Sequence, residues 1–134
     1  MTPELEAALR LIYAGILVGI IGFQRERYNK PAGLRTHILI CMGSALFTVA
    51  SVYGFAGNVD PARVAAGVVT GIGFIGAGVI FRGMKGDKVV GITTAASIWI
   101  TAAIGITAGV GMYIIAGVVT LITFLVLMLP RVKG

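Results

Sequence analysis

Residues Gly67 to Arg82 read G-V-V-T-G-I-G-F-I-G-A-G-V-I-F-R. Five glycines, one alanine and one threonine stand among large apolar side chains, and no charge appears before Arg82. In water each glycine costs a helix roughly 1 kcal/mol relative to alanine. In a bilayer the backbone has to bond to itself, so such a run spans only as a helix. Its glycines then let other helix backbones approach closely. Gly67, Gly71 and Gly78 fall on one small-residue face, and Thr70, Gly73 and Ala77 lie beside it. Two narrow stripes predict a helix packed on more than one side, and therefore the central helix of its bundle, with Gly76 also in contact.

Gly71 to Gly76 also matches the dinucleotide fingerprint G-x-G-x-x-G. That motif needs a preceding strand, a helix opening on it and an acidic residue about 20 positions on. Here it sits inside an apolar run, and the next acidic residue is Asp87, so nucleotide binding is set aside.

The whole chain fits this setting. Of 134 residues, 57% are hydrophobic and 12% charged, against about 25% charged in soluble domains. Mean hydropathy is +0.99. The formal charge of +6 is gathered in loops, without basic-aromatic interleaving, so no nucleic-acid partner is expected. The single cysteine, Cys41, excludes an internal disulfide and a multi-cysteine metal site. No removable signal peptide is read at the N-terminus.

The pattern predicts an all-α integral membrane protein, one transmembrane domain over 1–134 with no C-terminal cytoplasmic domain. Five spans are expected at about 7–23, 37–55, 62–81, 89–106 and 112–129, each near the ~20 residues that cross a bilayer. Thr2 and Pro3 open the first helix, with Glu4 and Glu6 in its first turn. Thr107 to Gly111 reads as a tight turn. The first loop carries Arg25, Arg27, Lys30 and Arg35, the third Arg82, Lys85 and Lys88, and the tail Arg131 and Lys133. These charges place the N-terminus outside and the C-terminus in the cytoplasm. A shift of 58 positions aligns Gly33-Leu34-x-Thr36 with Gly91-Ile92-x-Thr94 and Gly15 with Gly73, a parallel repeat of helices 1–2 and 3–4.

Arg25 to His37 (R-E-R-Y-N-K-P-A-G-L-R-T-H), Gly71 to Ile80 (G-I-G-F-I-G-A-G-V-I) and Gly91 to Gly105 (G-I-T-T-A-A-S-I-W-I-T-A-A-I-G) together resemble the MgtC/SapB family of bacterial membrane proteins. The resemblance covers nearly all of Gly15 to Tyr113. It implies a five-span plasma-membrane domain with a cytoplasmic C-terminus and a non-enzymatic role. Such members support growth under magnesium limitation and survival inside host cells, and one branch restrains the rotary ATP synthase. Members of the virulence type tend to carry asparagine at the position of Thr93 and cysteine at that of Ile100. Threonine and isoleucine here point to a SapB-like branch.

The two G-aliphatic-x-T corners open helices at the basic side. Free helix N–H groups suit an anion there. Thr36, Thr93 and Thr94 add hydroxyls, and Arg25, Arg35 and Arg82 add cationic forks. The plainer reading is that the threonines cap and the arginines only orient the protein. Arg10 is read as snorkelling outward beside Glu6 rather than as a buried cation. His37 is read as an exposed neighbour of a cap. Trp99, mid-span, is expected in the bundle or in a subunit interface. No catalytic residue, cofactor or metal site is expected. Magnesium favours carboxylates and water, and past Glu6 the spans hold neither Asp nor Glu. Two functions remain: a regulatory membrane subunit assembling as a homodimer through Gly67, Gly71, Gly73, Gly76 and Gly78, or a small homo-oligomeric transporter or channel for an anionic group.

Overall fold

The computed structural model describes residues 2–55, 57, 59–82 and 89–130, with backbone alone at 81 and 82. The expected turn at Asn58, most of the basic loop with Lys85, Asp87 and Lys88, the tail from Arg131 and the side chain of Arg82 lie outside the described residues.

Five helices carry the fold: α1 (Pro3–Arg27), α2 (Leu34–Tyr53), α3 (Ala62–Gly78), α4 (Ile92–Gly109) and α5 (Tyr113–Leu127). α1, α2 and α4 are long and apolar enough to cross a membrane, while α3 and α5 have 17 and 15 residues. The start of α1 is as read: Thr2 Oγ1 accepts from Leu5 N–H at 3.2 Å, with Pro3 in the first turn. Between α3 and α4 a short antiparallel ladder joins β1 (Phe81–Arg82) to β2 (Val89–Val90). Phe81, Val89 and Val90 were expected to lie within spans 3 and 4, and Arg82 to open the loop between them. A left-handed Gly91 (φ +95°) turns the chain from β2 into α4. A side chain there would be driven into the carbonyl of Val79, so only glycine fits this corner.

The centre of the bundle is α4, which packs against all four other helices. The core is built from Ala14, Val18 and Ile21 of α1, Cys41 and Ala45 of α2, Ile104 and Ala108 of α4, and Ala116 of α5. α3 contributes nothing to it, which corrects the placing of the glycine helix at the centre. Its buried residues are Val68 and Gly76, and its Phe74 is 78% exposed. A Cβ added at Gly67, Gly71, Gly73 or Gly78 would meet nothing within 4 Å, whereas one at Gly76 would lie 3.6 Å from Ala95 Cβ.

Close approach occurs on α4 instead. A Cβ at Gly105 would collide with the Cys41 carbonyl and stand 2.8 Å from Ser44 Cβ. One at Gly109 would stand 2.9 Å from Thr48 Cβ and 3.0 Å from the Ala45 carbonyl. Ser97, Thr101, Gly105 and Gly109 recur every four residues, and this face holds the backbones of α2 and α4 together. The expected turn from Thr107 therefore starts later: α4 continues to Gly109, and Gly111 (φ +91°) makes the reversal.

Candidate functional site

The bundle is apolar outside and polar within. Ile16, Leu39, Phe74, Ile114 and Leu121 are exposed, while Arg10, Arg25, His37, Thr48, Ser97 and Thr101 are buried. An exterior of this kind suits hydrocarbon, and buried ionisable groups inside it are candidate functional positions. Two such groups sit on α1. They are 15 residues apart, about 22 Å along the helix.

Arg10 does not snorkel. Its Nη1 donates to the Gly109 carbonyl at 2.9 Å, Nε to Tyr113 Oη at 3.0 Å and Nη2 to Glu6 Oε1 at 3.0 Å. The Glu6 pairing was expected, but the guanidinium turns inward to close the C-terminus of α4. Its carbon also lies 5.5 Å from the Tyr53 ring centroid. Arg10 therefore ties α1 to the α4–α5 reversal.

Arg25, at the other end of α1, is 4% exposed. Its Nη2 donates to Thr94 Oγ1 at 2.9 Å, and its buried Nε has no partner among the described residues. One turn further along α4, Ser97 Oγ lies 2.7 Å from the Thr94 carbonyl and 3.0 Å from His37 Nε2. His37 Nδ1 faces the Gly33 carbonyl at 2.8 Å. With its proton on Nδ1, the imidazole donates to Gly33, and Ser97 shares one hydroxyl proton between Nε2 and Thr94. His37 is thus fully buried between α2 and α4, not exposed beside a cap. Gln24 completes this end by donating from Nε2 to the Phe124 carbonyl of α5 at 3.2 Å.

Of the residues expected to bind an anion, the structure brings together Arg25 and Thr94. Arg35 and Thr93 are exposed, and Thr36 is half-buried. Gly33 and Gly91 cap α2 and α4 without a side-chain capping bond, so Thr36 and Thr94 do not act as caps. Trp99 is 55% exposed and does not pack within the bundle. Ser97, Gln24 and the buried settings of His37 and Arg10 were not foreseen; the four-residue step from Ser97 to Gly109 was their visible signal.

A second feature is an open groove of about 630 Å³ between α2 and α3. Leu39, Gly43, Phe47, Gly67, Gly71 and Ile75 line it. Ser44, 2% exposed, also borders it, and its hydroxyl has no partner among the described residues.

An apolar exterior, three membrane-length helices and a buried polar interior define a helical membrane protein. Residues 11–133 match the family model described as "MgtC family", and the chain belongs to that family. It is 52% identical over 129 residues to the "Putative magnesium transporter YhiD" of Escherichia coli (strain K12), covering 91% of this chain and 59% of that protein. It is 46% identical over 101 residues to "Protein MgtC" of Brucella abortus (strain 2308), covering 75% of this chain and 41% of the relative. With "Protein SapB" of Bacillus subtilis (strain 168) it shares 42% over 98 residues, 68% of this chain and 42% of the relative. The chain therefore spans about three fifths or less of each of these relatives. No solved structure matches it.

Proposed function

We propose that this chain is a non-enzymatic regulatory subunit of the bacterial plasma membrane. It serves adaptation to magnesium limitation or to host-associated stress, and it works as a homodimer through α3. The observation that carries this reading is the bare glycine face. Among the described residues, an added Cβ at Gly67, Gly71 or Gly78 on that face would meet no atom within 4 Å, and Gly67 and Gly71 line the groove together with Ser44, whose hydroxyl has no partner there. A second copy suits it, because a two-fold interface sets one patch against itself and small residues at steps of four let two backbones touch. A larger membrane complex, such as the rotary ATP synthase restrained by one branch of the family, would engage the same dimer.

In this reading the chain crosses the membrane five times, with its N-terminus outside and the Arg25 corner at the cytoplasmic side. Single cysteines at Arg35 and Asp60, in a Cys41→Ala background, should label from opposite faces in intact cells. α2 separates them by 20 residues, about 30 Å. Labelling of both from one face would refute the five-span arrangement.

Assembly has its own test. Gly71→Leu should cut the crosslinked dimer in membranes several-fold without lowering helicity, since a Cβ there meets no atom within 4 Å and the rest of the side chain has the open groove beside it. An unchanged dimer yield removes α3 as the interface. The name carried by the Escherichia coli relative makes transport the competing reading. Saturable magnesium or phosphate flux in liposomes holding only this protein would favour transport over regulation.

A further inference from the structure

We infer that Arg25 and the first turn of α4 form a binding site for a phosphate-class oxyanion, either free phosphate or the phosphate of a lipid headgroup. A guanidinium has five N–H donors. Among the described residues, one of Arg25's has a protein acceptor, the hydroxyl of Thr94, and the buried Nε has none. A cation taken out of water needs a counter-charge or a full set of acceptors. A single neutral hydroxyl supplies neither.

That hydroxyl belongs to the third residue of an 18-residue helix. Gly91 caps the helix without a side chain, so among the described residues no capping group covers the opening N–H donors. Cation, hydroxyl and positive helix end therefore converge on one place. A tetrahedral oxyanion matches them, since adjacent guanidinium N–H groups grip two of its oxygens at once. Ile92 and Thr93 are exposed on the same turn.

The matching corner of α2 shows how the chain meets the same need elsewhere. There Glu26 Oε1 accepts from Leu34 N–H at 3.4 Å, and a Cβ at Gly33 would stand 2.8 Å from that oxygen. The α2 corner has its own carboxylate. At the α4 corner no carboxylate is found among the described residues, and the 58-residue offset brings Met84 to the position of Glu26.

The test uses the full chain with two probes. One is radiolabelled orthophosphate, added to protein in neutral detergent at ionic strength held constant with chloride. The other is nanodiscs of phosphatidylcholine with or without phosphatidylglycerol, read by thermal unfolding. Saturable orthophosphate binding would identify a free anion. Stabilisation by phosphatidylglycerol alone would identify a headgroup. In either arm Arg25→Gln and Thr94→Val should weaken the effect about 10- to 100-fold, the scale of one hydrogen bond to a charged group. Arg25→Lys should fall between, because it keeps the charge and loses the fork. Should Arg25→Gln fail to fold, Thr94→Val and Arg25→Lys still decide the matter.

No saturable effect in either arm, or effects that ignore both positions, would overturn the site. So would orthophosphate binding that appears only in Asp87→Asn, because the counter-charge would then be internal. Dimer crosslinking is read separately, so failure here leaves the α3 interface standing and the converse also holds.

Discussion

Gly105→Ala should destabilise the bundle by about 2–3 kcal/mol, while Gly71→Ala should leave it unchanged or slightly more stable. The two substitutions add the same methyl group to the same residue type in an apolar helix. At Gly105 that methyl collides with the Cys41 carbonyl and sits 2.8 Å from Ser44 Cβ. The obstacle is backbone and Cβ, so no rotamer change relieves it, and α2 has to move away from α4. Overpacking a tight core costs typically ~1–3 kcal/mol, and the upper half of that range applies where backbone is the partner. Movement of α2 also strains the contact from His37 to Ser97 on the same seam. At Gly71 nothing lies within 4 Å, so the methyl meets no atom of its own chain. The measurement is equilibrium unfolding in mixed micelles, with helicity and near-ultraviolet signals followed together. Wild-type stability in Gly105→Ala would mean that α2 and α4 stand further apart than described. Gly109→Ala should follow with a smaller loss, since its nearest atoms, Thr48 Cβ and the Ala45 carbonyl, stand at 2.9 and 3.0 Å and no atom is as close as the Cys41 carbonyl is at Gly105.

This pair of glycines also shows what a single sequence reveals. The apolar runs announced five helices, because each run has to satisfy its own backbone and the loops between them carry the charges. Small residues announced close approach, but a stripe of them is equally strong evidence for a neighbour in the same chain and for one in another. α3 holds more glycines, yet at four of its five an added Cβ would meet no atom within 4 Å, and the stripe of α4 ending in Gly105 and Gly109 holds the centre. Glycine counts could not rank them, because partner choice depends on how five helices share one core. Position along the chain misled in the same way at His37 and Arg10. Both lie close to a helix end, where water or headgroups would normally take them. The α1–α2 and α1–α4 contacts instead fold those ends inward. The pairing of Arg25 with Thr94 was legible as a class of residue at a helix corner. The match itself spans 69 positions, and only the packing of α1 on α4 brings it about.

Arg10→Met should cost about 3 kcal/mol, and Arg10→Lys about half as much. A buried ion pair replaced by apolar side chains of similar volume is often neutral, so the sign depends on what is left behind. Glu6 is no liability: its side chain is 47% exposed, and losing its share of an exposed pair is worth under ~1 kcal/mol. The Gly109 carbonyl is different. It ends α4 within the bundle, and its bond to Nη1 is buried. Methionine fills the space of the arginine stem but brings no donor, so that carbonyl and Tyr113 Oη both lose theirs. Bonds from charged donors are worth about 1.5–3 kcal/mol each, with non-additivity bringing the sum down. Lysine keeps the charge, yet a single ammonium cannot reach three acceptors spread over α1, α4 and α5 as a fork does. The contribution of the fork is separable. Tyr113→Phe removes the acceptor of Nε and leaves the ring in place, so a cycle with Arg10→Met should return a coupling of about 1 kcal/mol. Zero coupling, with Arg10→Met as stable as wild type, would mean that the guanidinium turns outward after all and that the α4–α5 reversal is held by Gly111 and the Tyr13–Tyr113 contact alone.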